Sequence, residues 1–132
     1  MKRWRTASRV VMALFFIVAG LNHFRTPEIY LSMMPRYLPW PDMLNWISGT
    51  AEVAGGIGVL VPVVRPMAGW GLIALLVAVF PANLHVALHG WPEMDLPGWV
   101  LWARLPLQVV LIGWVYDGCL REHRLDADAA AP

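Results

Sequence analysis

Residues 67–88 read MAGWGLIALLVAVFPANLHVAL, a run with no charged side chain. The hydrocarbon core of a bilayer, about 30 Å thick, takes roughly 20 such residues in a helix. A water-soluble helix carries a polar stripe along its length, and this run has none. Working outward, 7–24, 43–61 and 99–116 have the same character. Proline marks the boundaries. Pro41 opens the second run, Pro62 and Pro66 frame the turn before the third, and Pro97 with Gly98 precedes the fourth. Proline is tolerated at a helix start, where its missing N–H costs nothing. The pattern predicts an all-α chain, a transmembrane four-helix bundle forming one domain over residues 1–132.

Composition agrees. Hydrophobic residues make up 58% and charged residues 14%, against about 45–50% and about 25% in soluble domains. Mean hydropathy is +0.55. The 8 tryptophans suit membrane–water interfaces, where an amphipathic ring is stable. Cys119 stands alone, which excludes an internal disulfide and a paired-cysteine relay within the chain. Lys2, Arg3 and Arg5 ahead of an apolar run, with Ala19 and Gly20 following, also fit a cleavable signal. Three further runs favour an anchor.

Basic residues set the expected orientation. Lys2, Arg3, Arg5, Arg9, Arg65, Arg121 and Arg124 fall on one side of four spans, and only Arg25 and Arg36 on the other. The positive-inside rule then places both termini in the cytoplasm. Residues 117–132 are expected to form a cytoplasmic tail, frayed after Arg124 where it is short, acidic and Ala-rich. Nothing in this thin spread of charge points to nucleic acid. In the first outer loop, 25–42, Thr26-Pro27-Glu28 reads as a helix start, with Thr26 as N-cap and Glu28 favourable to the dipole. Tyr30, Met34, Tyr37 and Trp40 make the loop too apolar for a solvated connection. It is expected to form a short interfacial helix and turn, a lid over the bundle.

Ionisable groups inside a span cost several kcal/mol on insertion scales, so each calls for a partner or a purpose. Glu52 sits mid-way along the second run, on a face with Asn45, Ser48, Gly49, Gly55 and Gly56. Small residues there allow close helix approach. Arg104 and Gln108 lie one turn apart in the fourth run, and an Arg104–Glu52 pair is the expected neutralisation. In the third run a small-residue face leads outward to His85 and His89. Pro81 leaves the Val77 carbonyl without its donor, which predicts a kink. Asn83 points elsewhere on an ideal helix. With Asn22 and His23, the polar groups gather at one depth, in the outer half. His23, His85 and His89 are the weak candidates for a metal, without the further ligand that would complete a usual set. Gly55-Gly56-Ile57-Gly58 lacks the strand and lysine of a phosphate loop and reads as helix packing.

Gly20-Leu21-Asn22-His23-Phe24, Pro27-Glu28, Met34-Pro35, Ser48-Gly49-x-Ala51-Glu52, Phe80-Pro81-Ala82-Asn83-x-His85 and Arg104-x-Pro106-x-Gln108 together resemble the DoxX-like family of small bacterial four-helix membrane proteins. The resemblance runs from about Arg9 to Tyr116. It implies a multi-pass protein of the bacterial cytoplasmic (inner) membrane. It also implies a neighbourhood of chemistry: quinone-linked sulfur oxidation in some members, oxidative-stress resistance in others.

Three readings of function follow. In the first, a redox-associated subunit binds a quinone or similar amphipathic molecule through Asn22, His23, Glu52, Asn83, His85, Arg104 and Gln108. Tyr30, Met34, Tyr37 and Trp40 cover it. A quinone is the candidate cofactor, no residue is assigned as catalytic, and no haem or iron–sulfur motif is present. Electron transfer would therefore need a cofactor or a membrane or soluble redox partner protein; the lipid bilayer and, in a homo-oligomer, a second copy of the chain are the other expected partners. In the second reading the chain is a structural partner subunit, its polar cluster only ordering the bundle. The third, a small-solute transporter, is least favoured, because the inner half offers no polar path.

Overall fold

The structure, a computed structural model, describes residues 2–132. Seven α-helices form: α1 (Lys2–Arg25), α2 (Pro27–Met33), α3 (Pro41–Leu60), α4 (Arg65–Ala78), α5 (Phe80–His89), α6 (Gly98–Tyr116) and α7 (Glu122–Ala130). A π-helical turn, Asp117–Arg121, joins α6 to α7. There is no strand among the described residues. Pro27, Pro41, Pro66 and Pro81 each occupy the first turn of a helix, where the ring presets φ and no bond is lost. Thr26 stands at the N-cap of α2 as expected, but its hydroxyl donates to the Asn22 carbonyl (3.1 Å) and makes no capping bond.

Three stretches are long and apolar enough to cross a membrane: Lys2–Arg25, Arg65–His89 and Gly98–Ala130. The 20-residue α3 is not among them, because Asp42, Asn45, Glu52 and its glycines dilute its apolar content. Val11, Leu14, Val18 and Leu21 on α1, and Leu107, Val109 and Val110 on α6, are more than half exposed. So extensive an apolar exterior is unusual in water and ordinary against lipid.

At the expected kink the helix is interrupted at the single residue Val79. The expected small-residue packing face needs correction: Gly71, Ala74 and Ala78 are exposed, and the buried stripe is Gly69, Leu72, Leu76, Asn83 and Val86. The third run divides at Val79, whose N–H bonds to Leu75 O (2.9 Å) and whose carbonyl receives Asn83 N–H (3.1 Å). Beside the break, the Gln108 amide of α6 donates to Leu76 O.

Close approach of α1 to α3 follows from glycine facing glycine. A Cβ on Gly20 would lie 2.7 Å from Gly49 O and 2.8 Å from Val53 N. Next come α3 on α4, then α4 and α5 on α6, while α2 lies against α1, α3 and α5. Two apolar clusters form. Met12, Phe16, Val59, Leu72, Leu76, Val115, Cys119 and Leu120 make one; Met33, Val86 and Leu101 make the other, near α2.

The start of α1, the turn between α3 and α4, and the start of α7 meet at one end. Arg9 donates to Gly118 O (2.8 Å) and to Glu122 Oε2 (2.6 Å), and Arg65 donates to Val59 O (2.7 Å). The expectation of a frayed tail needs correction here, since the helix runs to Ala130. Glu, Arg, Leu and Ala are good helix formers, and Arg9 clamps the first turn of α7. The hydrogen bond from Arg9 holds the Glu122 carboxyl below its usual range, opposed by slight burial and aided by the charges of Arg9 and Arg5. A lowered carboxyl value contributes stability above the unfolded-chain value, and that contribution is lost as pH falls through the folded value. Acidification is therefore expected to speed proteolysis within α7. Glu122→Gln should make the tail open already at neutral pH and remove the pH dependence.

Candidate functional site

The close α1–α3 contact brings His23 against α3. Asn45 Nδ2 donates to the His23 carbonyl (3.0 Å), which turns Asn45 Oδ1 toward His23 Nδ1 (2.7 Å). An amide oxygen only accepts, so Nδ1 carries a proton. The other ring nitrogen, Nε2, lies 3.3 Å from Glu52 Oε2. With Nδ1 protonated, a neutral ring would turn its Nε2 lone pair on a carboxylate. One proton therefore belongs to the His23–Glu52 pair, on either partner. Both side chains are largely buried, at 10% and 16% exposure. The Tyr30 ring of α2 stacks on His23 at 3.8 Å, and its hydroxyl accepts a hydrogen bond from Asn22 (2.8 Å).

On the facing wall a chain of amides fixes Arg104. Gln108, anchored on Leu76 O, accepts from Asn83 Nδ2 (2.6 Å). Asn83 Oδ1 in turn accepts from Arg104 Nη2 (3.0 Å). The guanidinium carbon lies 4.6 Å from the centre of the Trp91 ring, a cation–π distance. The Trp91 N–H reaches Ile29 O (3.0 Å) and Ser32 Oγ (2.9 Å). One indole thus ties α2 to the loop and covers Arg104.

Between the walls lies a cavity of about 190 Å³, roughly six times the ~30 Å³ share of one water. Polar side chains on it are His23, Tyr30, Ser48, Glu52, Asn83 and Arg104, and apolar ones include Phe15, Met33, Met34, Leu76 and Leu111. Arg104 Nη1, a buried atom, has no hydrogen-bond partner among the described residues, and Glu52 Oε2 has none besides the His23 ring nitrogen 3.3 Å away. Unsatisfied buried groups of this kind cost stability and call for an explanation.

The expected residues divide. His23, Glu52, Asn83 and Arg104 share the cavity, with Tyr30 and Met34 from the lid. Gln108 stands behind Asn83, and Asn22 holds Tyr30 from outside. His85 does not line the cavity; its ring lies 4.5 Å from that of His89. Tyr37 and Trp40 are exposed at 73% and 72%, so they are not cover. The expected Glu52–Arg104 pair does not form among the described residues. Gly20 and Gly49 bring His23 to Glu52, and Asn83 meets Arg104 from the buried stripe that it shares with Leu72, Leu76 and Val86. His23, His85 and His89 do not converge, and no group of three or more His, Cys, Asp or Glu able to hold a metal occurs among the described residues. The expected set omits Asn45, Met33 and Trp91. Asn45 lies one turn before Ser48 on the Glu52 face, which was the available signal.

Compared with known proteins, the chain matches over residues 12–119 the family described as DUF8561, a domain of unknown function. It belongs to the DUF8561 family. The DUF8561 match includes every residue of the cavity and leaves out α7 and the first turns of α1. Neither the curated proteins nor the solved structures contain a match to this DUF8561 chain.

Proposed function

We propose that this chain is a redox-associated membrane subunit that binds the oxygen-bearing ring of a quinone or similar amphipathic molecule. The observation that carries this reading is an Arg104 guanidinium with an unpartnered N–H and a His23–Glu52 pair sharing one proton, on the same cavity. Arg104 Nη1 offers an N–H to one ring oxygen, and the His23–Glu52 pair offers its proton to another. A quinone presents two acceptor oxygens on a flat apolar ring, and Met33, Met34, Leu111 and Phe15 suit its faces. Electrons come from a partner protein, in the membrane or soluble. This chain positions the ring and holds a proton beside it. The resemblance to the DoxX-like family supports the same neighbourhood of chemistry.

The membrane arrangement belongs to the proposal. The termini meet through Arg9, so the number of crossings is even. With three apolar spans, α3 supplies the fourth, giving a four-helix bundle. Its two ends differ in basic residues, which puts both termini in the cytoplasm and the cavity in the outer half. The expected host is a bacterial cytoplasmic membrane. A transporter is disfavoured, because the Met12–Phe16–Leu72–Val115 cluster closes the cytoplasmic half with apolar side chains.

One observation favours a second reading, a partner subunit whose polar groups only order the helices: Gln108 and Asn83 stitch the break at Val79 to α6. Glu52→Gln separates the two readings. If the cavity binds a quinone, the substitution should weaken ubiquinone-analogue binding about tenfold, the effect of a charged hydrogen bond. It should also abolish any proton uptake on binding, read from the buffer dependence of the binding heat. Gently extracted wild-type protein that retains no amphiphile and binds no quinone analogue would leave the second reading standing.

A further inference from the structure

A larger hollow adjoins the cavity on the outside of α1. This open groove, about 670 Å³, is lined by Val11, Leu14 and Val18 together with Phe15, Ala19 and Tyr30. The last three also line the polar cavity. The two spaces thus share a wall made of a phenyl edge, a methyl group and a phenol. Tyr30 is held there by Asn22 and by the His23 ring. Toward the termini, α1 is fastened to α6 by Trp114, whose N–H donates to Ser8 Oγ (2.8 Å) and whose ring meets the Phe15 edge (6.3 Å). Val11 to Asn22 spans about 16 Å of helix.

We infer that this groove is the subsite for the apolar tail of the ligand whose ring occupies the cavity. The ligand class is thereby narrowed to long-chain amphiphiles, a prenyl or alkyl chain on an oxygenated ring. The chain leaves the cavity between Phe15 and Tyr30 over Ala19 and lies along α1 against lipid. The inference rests on the cavity reading. Small Ala19 is the lowest point of the shared wall, and the outward faces of Leu14 and Val18 are 58% and 64% exposed, open to a chain arriving from the bilayer. Apart from Asn22 and the Tyr30 phenol at its cavity end, the groove is bordered by apolar side chains, so it suits hydrocarbon and not a second head group.

The test uses full-length protein in nanodiscs and a benzoquinone bearing a photoreactive diazirine part-way along an alkyl tail. Labelling is expected on α1 at Val11, Leu14 or Val18, and it should be lost when excess tail-less dimethoxy-methyl-benzoquinone competes for the cavity. In Val18→Trp, which alters the groove and not the cavity lining, labelling at Val11 and Leu14 should also be lost while the tail-less ring still binds, which shows that the cavity has survived the change. Labelling of α1 that the tail-less ring leaves untouched would overturn the subsite, since the groove then holds bulk lipid. Competed labelling on other helices would overturn it too. If the tail-less ring does not bind wild-type protein at all, the cavity reading fails and the subsite with it.

Discussion

Arg104→Met is expected to weaken binding of a quinone analogue by about 10- to 100-fold, while the melting temperature in the same detergent stays level or rises. Hydrogen bonds to a charged group contribute about 1.5–3 kcal/mol, and each 1.4 kcal/mol is about tenfold in affinity. The substitution removes the unpartnered Nη1 that faces the cavity, together with the Nη2 bond to Asn83. Burying a guanidinium without a carboxylate is expensive, and an apolar chain of similar length relieves that cost. A group kept at the expense of stability marks a functional site. Arg104→Lys should fall between, since a lysine keeps the charge but not the fork that serves Asn83 and the cavity together. The opposite pattern in Arg104→Met, lost stability with unchanged binding, would assign the side chain to scaffold. Isothermal titration and thermal melting on the same preparations decide it.

The second large effect lies away from the polar groups. Gly20→Ala is expected to destabilise the protein by about 1–3 kcal/mol, the usual penalty for overpacking a tight contact. The new methyl would sit 2.7 Å from Gly49 O and 2.8 Å from Val53 N, both backbone atoms. A flexible neighbour cannot swing aside there, so α1 and α3 must separate. His23 rides on α1 and Asn45 and Glu52 on α3, so the same change should loosen the proton-holding pair and weaken ligand binding. Gly71→Ala and Gly113→Ala are the controls: a Cβ at either meets nothing within 4 Å, and both should be neutral or slightly stabilising. Equal melting temperatures for Gly20→Ala and Gly71→Ala would contradict the backbone-to-backbone contact.

Helix positions were legible in the sequence because proline and uninterrupted apolar runs dominate it. Pro27, Pro41, Pro66 and Pro81 each start a helix, and the lid helix follows from Pro27-Glu28. The partners of the buried charges were not legible. The small residues pointed to the wrong face of the third run: Gly69, Leu72, Leu76, Asn83 and Val86 form its buried stripe at helical spacing, while Gly71, Ala74 and Ala78 are exposed. Glu52 had two cationic candidates at similar depth. Which one it meets depends on the α1–α3 separation, set by Gly20 and Gly49 across 29 residues of chain. Trp91 was hidden for another reason. In sequence it is one more interfacial aromatic, and only the fold brings its N–H to α2. The acidic tail looked unstructured by composition, yet it is helical to Ala130, with Glu122 at its start held by Arg9 and every residue of the helix exposed.

That indole ties two parts of the site to one residue. Its edge is bonded to the lid helix and its face lies on the guanidinium, so the roof of the cavity and one of its walls hang from a single codon. A change at Trp91 alters how the cover sits and where Arg104 points in one mutational step. Substitutions at positions 91 and 104 should therefore be energetically coupled, and a double-mutant cycle of Trp91→Phe with Arg104→Met is expected to be non-additive.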